Sequence, residues 1–491
     1  MNTIIKELQE LQKFKEYVEE IKSNTPVISI SGLSSVGKIQ YIYSSFDMIK
    51  RPILIVTYNE IEARKIIDDL KNFTNNKDEI IYFPKREIAT YDYVTENKDL
   101  AFQRQEILNK IEKNKAKIIV TTIEALMQKM ITKDNLYKDK LNLKVGKTYN
   151  IDLIKQTLIN LGYEKSDLVE GRGLFATRGD IVDIAISDKE GIRIELWGDD
   201  IDSIRKFSIS TQRSLEMINQ VEILPAHEFI LEDSLDFVIE RIEKENIKED
   251  IKLQDIELIQ SGDYISKVEK YFNCFYAKQG TFFDYIGKDF IIFIDDSSKI
   301  KQRQDNILID NKNLIKSLLE KGRYVSQSIK NIERVEYIRE NKQIICLENQ
   351  DFGVNKIASV KYNFNYRDVK YYKSEIEILI GDLIKWLNQK KKVIVLSGNK
   401  EETEKFVKLL EEKQVPFVID NSNLKTKNNA VVVKEGRLSS GFECYDLNLI
   451  VITGEDLFTS NVKKRKKLSS SFKEGEKVVF SDLKIRRLCC A

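Results

Sequence analysis

The chain has 491 residues, too long for one hydrophobic core, so three or four domains are expected. With 42% hydrophobic and 32% charged residues it has the make-up of a soluble globular protein. A formal net charge of +2 excludes a global field that would draw it onto nucleic acid, so any such contact needs a local patch. Cys274, Cys346, Cys444, Cys489 and Cys490 are scattered, odd in number and without a C-x-x-C pair. They argue against a disulfide framework and a zinc site, and no metal centre is expected. His227 is the lone histidine, which argues against a His-based triad. The charged, helical start MNTIIKELQELQKF is not a signal peptide, and no apolar run approaches membrane-spanning length. No membrane partner and a cytoplasmic location are expected.

In chain order, Ile4, Ile5, Leu8, Leu11, Phe14, Val18 and Ile21 recur at helical spacing and predict an amphipathic first helix. A strand at 27–30 leads through a Gly-rich turn into a helix. A strand at 53–57 precedes a helix starting near Asn59. A third strand, 80–83, is stopped by Pro84, and a fourth, 117–121, enters a helix through Thr122-Ile123-Glu124. Strands alternating with helices predict a parallel α/β sheet. From about Leu143 the texture changes to short strands and Gly turns. Helical periodicity resumes at Leu235 and runs on to an apolar strand at 290–294. A last α/β unit has strands at 392–396, 430–433 and 449–453, and Lys463 to Lys467 with the serines after it reads as a linker.

Gly32-Leu33-Ser34-Ser35-Val36-Gly37-Lys38-Ile39 lies between strand and helix, the context of a phosphate loop. Glycines let backbone N–H groups approach phosphates, and the helix N-terminus favours negative charge. The last position needs a hydroxyl for Mg²⁺; here it is Ile39. Phe293-Ile294-Asp295-Asp296 has the apolar strand ending in acids of a Walker B element. Asp296 stands where a glutamate usually orients the attacking water, one methylene short. Two readings follow: a relic fold that neither binds nor hydrolyses ATP, or weak binding without turnover. Either way no Mg²⁺-dependent ATPase, no catalytic residue and no cofactor are expected.

The most informative block is 162–229. Arg172-Gly173 and Arg178-Gly179 are turns followed by short alternating runs. In Arg193-Ile194-Glu195-Leu196-Trp197, the period of two puts Ile194 and Leu196 on one face and Arg193, Glu195 and Trp197 on the other. Arginine and tryptophan together on one face have the composition of a protein-docking hot spot. Asp199, Asp200 and Asp202 read as a solvated turn, Asp183 and Glu195 lack the setting of a catalytic pair, and Lys463–Lys467 reads as a solvated linker.

The motifs D-L-V-E-G-R-G, T-R-G-D-I-V-D-I, D-D-I-D-S-I-R and Q-R-S, with Ile223-Leu224-Pro225-Ala226-His227-Glu228-Phe229, carry a resemblance. From the first helix to about Ile485 the chain resembles the N-terminal portion of the bacterial transcription-repair coupling factor family (Mfd). That portion is itself similar to UvrB, the damage-recognition component of the UvrABC excinuclease. The resemblance implies a degenerate RecA-like (P-loop NTPase-like) α/β domain at 1–145 and 233–350. A small α+β domain, 146–232, is inserted in it and binds UvrA, the partner component of the same excinuclease. A second, additional α/β domain at 351–460, containing Gly436-Arg437-Leu438-Ser439-Ser440-Gly441-Phe442, follows. UvrB lacks that domain and keeps the loop hydroxyl. The family's UvrA-contacting positions carry over to Arg178, Arg193 and Trp197, where the family more often has Phe at 197. The stretch from Phe83 to Tyr93 is short beside the damage-probing hairpin of UvrB, so Tyr91 and Tyr93 read as packing residues.

In the family, a domain binding RNA polymerase follows, then motor domains that use ATP and Mg²⁺ on double-stranded DNA. Residues 461–491 read as a basic linker and the truncated start of the polymerase domain. The family continues G-D-Y-V-V-H after Ile485, where this chain has Arg486-Arg487-Leu488-Cys489-Cys490-Ala491. Back-translation relates the two by one extra base, so a frame shift is expected here, whether a sequencing error, a pseudogene or a programmed event. The implied role is recruitment of UvrA in nucleotide excision repair. The competing expectations are a divergent ATP-dependent UvrB or helicase, and an inactive fragment.

Overall fold

The computed structural model describes residues 2–86, 98–231, 234–261, 268, 270–322, 332–336, 342–349, 358–372, 375–419 and 429–457. Tyr91, Tyr93, the run Lys463–Lys467, Cys489, Cys490 and the expected linker and tail lie outside these residues.

A seven-stranded sheet runs in the order Val360–Asn363, Val27–Ser31, Gln343–Glu348, Ile291–Asp295, Ile53–Thr57, Ile118–Thr122, Ile80–Phe83. Every neighbouring pair is parallel. Its inner strands are continuous apolar runs because both faces are covered. Leu54, Val56, Ile292 and Ile294 pack under the helices Lys98–Glu112, Leu235–Glu243, Glu249–Gln260 and Ser297–Glu320. Ile53, Ile55, Ile291 and Phe293 point the other way, into Asn2–Glu10, Gln12–Lys22, Ser35–Ile49 and Glu60–Phe73.

Three details depart from the sequence reading. The first helix is two, because Leu11 adopts extended backbone (φ −66°, ψ 126°) between Asn2–Glu10 and Gln12–Lys22. Both halves still bury Ile4, Ile5, Leu8, Phe14, Val18 and Ile21. Gln343–Glu348, not foreseen as a strand, is central to the sheet, between the strand that precedes the glycine loop and the strand ending at Asp295. Val360–Asn363, expected within the additional α/β unit, instead adds to the edge of this sheet beside Val27–Ser31.

The insertion is tied at its base by Leu141–Lys144 pairing with Gln220–Ile223, so the chain enters and leaves side by side. Above it is a sheet in the order Ser214–Ile218, Asp200–Ser208, Glu190–Trp197, Ile181–Ala185, Leu174–Arg178, Glu164–Lys165. Only the last pair is parallel. Ile192, Ile194, Leu196, Val182 and Ile184 form its inner face against Ile154 and Leu158 of the helix Ile151–Asn160.

A second six-stranded sheet has the order Tyr366–Asp368, Phe442–Cys444, Leu449–Thr453, Lys392–Leu396, Val431–Lys434, Phe417–Ile419. Val393, Val395, Ile450 and Ile452 face the helices Ile376–Asn388 and Lys400–Glu412. Ile394, Leu396, Phe442 and Val451 on the opposite face share a core with the N-terminal helices. A single layer of helices is thus pressed between two sheets. Asp69 on Glu60–Phe73 pins the far side: its carboxylate accepts from the Ser439 backbone N–H at 2.7 Å and the Ser439 hydroxyl at 2.6 Å. Burial pushes the Asp69 carboxyl above its ordinary range despite these donors. Among the described residues no helix is long and apolar enough to cross a membrane.

Candidate interaction face and the glycine loop

Within the strand Glu190–Trp197, the alternation read from sequence at 193–197 holds. Ile192, Ile194 and Leu196 are buried, and Trp197 is 85% exposed. Trp197 sits at the tip of a hairpin whose two-residue turn starts at Gly198, with φ +62°. A glycine suits that first turn position because an L side chain rarely adopts positive φ. The pairing slips between Glu195 and Leu196, skipping Asp202 on the partner strand. Such a bulge sharpens local twist and re-aims the side chains beyond it.

Arg193 lies on the same outward face but is not loose. Its Nε and Nη2 donate to the two carboxylate oxygens of Asp183 at 2.7 and 2.8 Å. Its guanidinium stands 5.0 Å from the Phe207 ring centroid. The Asp183 hydrogen bonds raise the Arg193 pKa above its ordinary value. Next along the strand, Glu195 accepts from Ser203 at 2.7 Å and from Arg205. The Ser203 hydrogen bond first, then Arg205, hold the Glu195 carboxyl below its usual range. Asp183 and Glu195 are therefore the holders of two arginines rather than a pair with each other. Arg178 is exposed at the end of Leu174–Arg178, and among the described residues its side chain makes one long 3.4 Å hydrogen bond, to the Asp167 carbonyl.

The sequence reading missed Arg205, Leu215 and Met217. Met217 pairs with Arg205, and Arg205 with Arg193, so the three lie in one row across the sheet. Leu215 and Met217 are exposed on the edge strand. Cross-strand register was the missing information, because strand order cannot be read from one strand's periodicity. Asp199, Asp200 and Asp202 are exposed, and Asp200 accepts from the Thr148 hydroxyl at 2.6 Å. Among the described residues no His, Cys, Asp and Glu cluster could hold a metal ion.

The other signature motifs lie on internal joints. Glu228 is buried and takes Arg104 Nε at 2.5 Å and Nη2 at 3.0 Å. Arg104 also donates to the Pro84 carbonyl and lies 4.2 Å from the Phe83 ring centroid. His227 packs edge-on against Phe102, with centroids 5.9 Å apart. A side chain at Gly162 would strike His227, and one at Gly173 would strike Phe102. Arg172 reaches Glu106 at 3.3 Å on the same helix as Phe102. These contacts fix how the insertion sits on the large sheet's helices.

At the glycine loop, Ser34 caps Ser35–Ile49, and its hydroxyl accepts from the Gly37 N–H at 3.1 Å. Lys38 Nζ is 2.7 Å from Asp295 Oδ1, both side chains being 8% exposed. Thr57 donates to the other Asp295 oxygen at 2.9 Å. Asp296 caps Ser297–Glu320 from a left-handed backbone (φ 65°) and accepts from Asn349 at 2.8 Å. Ile39 is buried. The cavity lined by Ser35, Lys38, Ile39, Asp295 and Leu347 holds about 20 Å³. That is room for roughly one water, and the lysine that a phosphate would attract is already paired.

Comparison with known proteins points to the same insertion. Residues 141–229 match the family model described as the UvrB interaction domain. The "Transcription-repair-coupling factor" of Staphylococcus aureus (strain bovine RF122 / ET3-1) is 26% identical over 508 residues, covering 99% of this chain. That of Bacillus subtilis (strain 168) is 24% identical over 483 residues, covering 95% of this chain. The chain spans 42% and 41% of the length of these two relatives. The insertion, closed at its base by paired strands, matches the UvrB interaction domain model, and along nearly all its length the chain is similar to the N-terminal region of these coupling factors.

Proposed function

We propose that this chain recruits the excinuclease component UvrA to transcription-coupled nucleotide excision repair, through the outward face of the inserted sheet. The observation that carries the reading is Trp197, 85% exposed on a strand whose alternate residues are fully packed. A large aromatic left in water on the same face as arginines matches the composition of interface anchors. Arg193 is held in place by Asp183, so little side-chain entropy is lost when a partner carboxylate meets it. Arg178 supplies a second, freer cation at the rim.

In the family from which this reading comes, displacement of stalled RNA polymerase and ATP-driven translocation on double-stranded DNA belong to other domains. Recruitment is the part of that cycle assigned to this chain, and ATP turnover is not. Ile39 in place of the metal-binding hydroxyl, and Lys38 paired with Asp295, support the absence of turnover. They also weigh against a divergent ATP-dependent UvrB or helicase.

The test is titration of UvrA onto the chain and onto Trp197→Ala, Arg178→Ala and Arg193→Ala. Loss of affinity in folded variants is expected. Unchanged affinity in all three would remove the docking face, and a folded wild-type chain that never bound UvrA would favour an inactive fragment. A Mg²⁺-dependent ATPase abolished by Lys38→Ala would restore the enzyme reading.

A further inference from the structure

The loop Gly32–Ile39 retains both its glycines, and the structure gives them other work. Val360–Asn363 pairs in parallel with Ile28–Ser31, and the pairing does not stop where the strand ends. The Phe364 N–H donates to the Ser31 carbonyl and the Tyr366 N–H to the Gly32 carbonyl, both at 2.9 Å. The segment therefore runs as a strap along the loop itself. At Gly32, with φ +77°, a Cβ would collide with the Phe364 carbonyl oxygen. At Gly37, a Cβ would come within 2.7 Å of Tyr366 Cδ1.

The Tyr366 ring cannot swing aside freely. Its backbone is held at Gly32, its hydroxyl donates to Gln40 Oε1 at 3.0 Å, and its ring lies 5.4 Å from that of Phe442. Gln40 is itself buried and donates to the Ile4 carbonyl at 2.8 Å. Phe364 lies with its ring centroid 4.7 Å from that of Tyr41, on the helix that the loop opens. Immediately beyond the strap, Tyr366–Asp368 becomes a strand of the second sheet, paired with Phe442–Cys444. The strap is thus the crossing point between the two sheets.

We infer that the glycine loop is a structural joint: Gly32 and Gly37 seat the strap Asn363–Tyr366, which anchors the second sheet on the first, and they no longer serve a phosphate. This goes beyond the docking reading and is independent of it, since none of these residues lies on the inserted domain.

Gly37 gives the sharpest test, because its backbone is helical and alanine is otherwise favoured there. In the full chain, Gly37→Ala should lower the melting temperature by a few degrees and speed amide exchange in the strap. In a Tyr366→Ala background the same change should cost clearly less, the contact that remains being Ser34 Oγ at 3.0 Å. Equal loss in both backgrounds, or no loss in the wild type, overturns the joint. Tyr366→Phe keeps the ring, so Gly37→Ala must remain costly there; that comparison holds if Tyr366→Ala does not fold. Ile39→Thr, dialysed against Mg²⁺–ATP, should bind none, its melting temperature being the same with and without the nucleotide. ATP binding by that single variant overturns the inference while leaving the docking face untouched.

Discussion

The outward face of the inserted sheet and the glycine loop carry the two most recognisable patterns in the chain, and they end in opposite conditions. On the sheet, Arg193 and Arg205 are held by Asp183 and Glu195, and Trp197 stands in solvent. At the loop, Lys38 is buried against Asp295 and the remaining cavity holds about 20 Å³. Both are ordered, but one is ordered toward the outside and the other toward its own chain. A motif marks a function only when its reactive groups still have somewhere to point.

The contrast breaks first at Lys38. If the loop is structural, Lys38→Met leaves the buried Asp295 without its ion-pair partner, with only the Thr57 hydroxyl on it among the described residues, and stability should fall by about 3–5 kcal/mol in chemical denaturation. Mg²⁺–ATP should make no difference to that loss; protection by ATP in the wild type would return the loop to nucleotide binding. On the sheet the expectation reverses. Trp197→Ala should weaken UvrA binding by about 2 kcal/mol or more, with stability unchanged within roughly 0.5 kcal/mol. A large drop in melting temperature would instead make Trp197 a packing residue.

Asp183→Asn sharpens the comparison further. It leaves Arg193 in place but loosens its grip, so binding should weaken less than in Arg193→Ala, by about 1 kcal/mol. An effect equal to Arg193→Ala would mean that Arg193 acts only through its position. The smallest effect concerns Glu195, whose folded pKa is depressed. A depressed carboxylate contributes stability above its unfolded pKa, near 4.3, and loses it as pH falls through the folded value. The stability difference between wild type and Glu195→Gln should therefore be constant at neutral pH and shrink below about pH 4. Because Glu195 is partly solvated, the effect is small. A difference that grew on acidification would contradict the assigned pairing.

Most of the α/β layout was legible because apolar runs flanked by turn residues locate strands without tertiary knowledge. Ile53–Thr57, Ile80–Phe83, Lys392–Leu396 and Leu449–Thr453 fall where periodicity placed them. Gln343–Glu348 was missed because its apolar stretch, Ile344 to Leu347, is short and set among polar residues. Only its two parallel neighbours make it central. The break at Leu11 was invisible because helical spacing continues through it. At the candidate face, the outward positions of Arg193 and Trp197 could be read from alternation alone. The Asp183 and Arg205 partners could not, because they depend on register between strands. At the loop, Ile39 announced the lost metal ligand, but nothing local to 32–39 foretold a strap arriving from residue 364.

The helical layer between the two sheets also sets the order in which the chain can fold. Glu7 on the first helix pairs with Lys392, 385 residues later. At about 5–20 residues per second of synthesis, that partner emerges roughly 20–80 s afterwards. Until then the outer side of the N-terminal helices has no second sheet to cover it. The first strand, Val27–Ser31, likewise waits for Gln343–Glu348 and Val360–Asn363 to arrive on either side. Such non-local pairing makes assembly slow, and these helices and this strand are enclosed only after partners more than 300 residues later are made. Glu7 and its helix thus stay open on one side for as long as the intervening 385 residues take to be made.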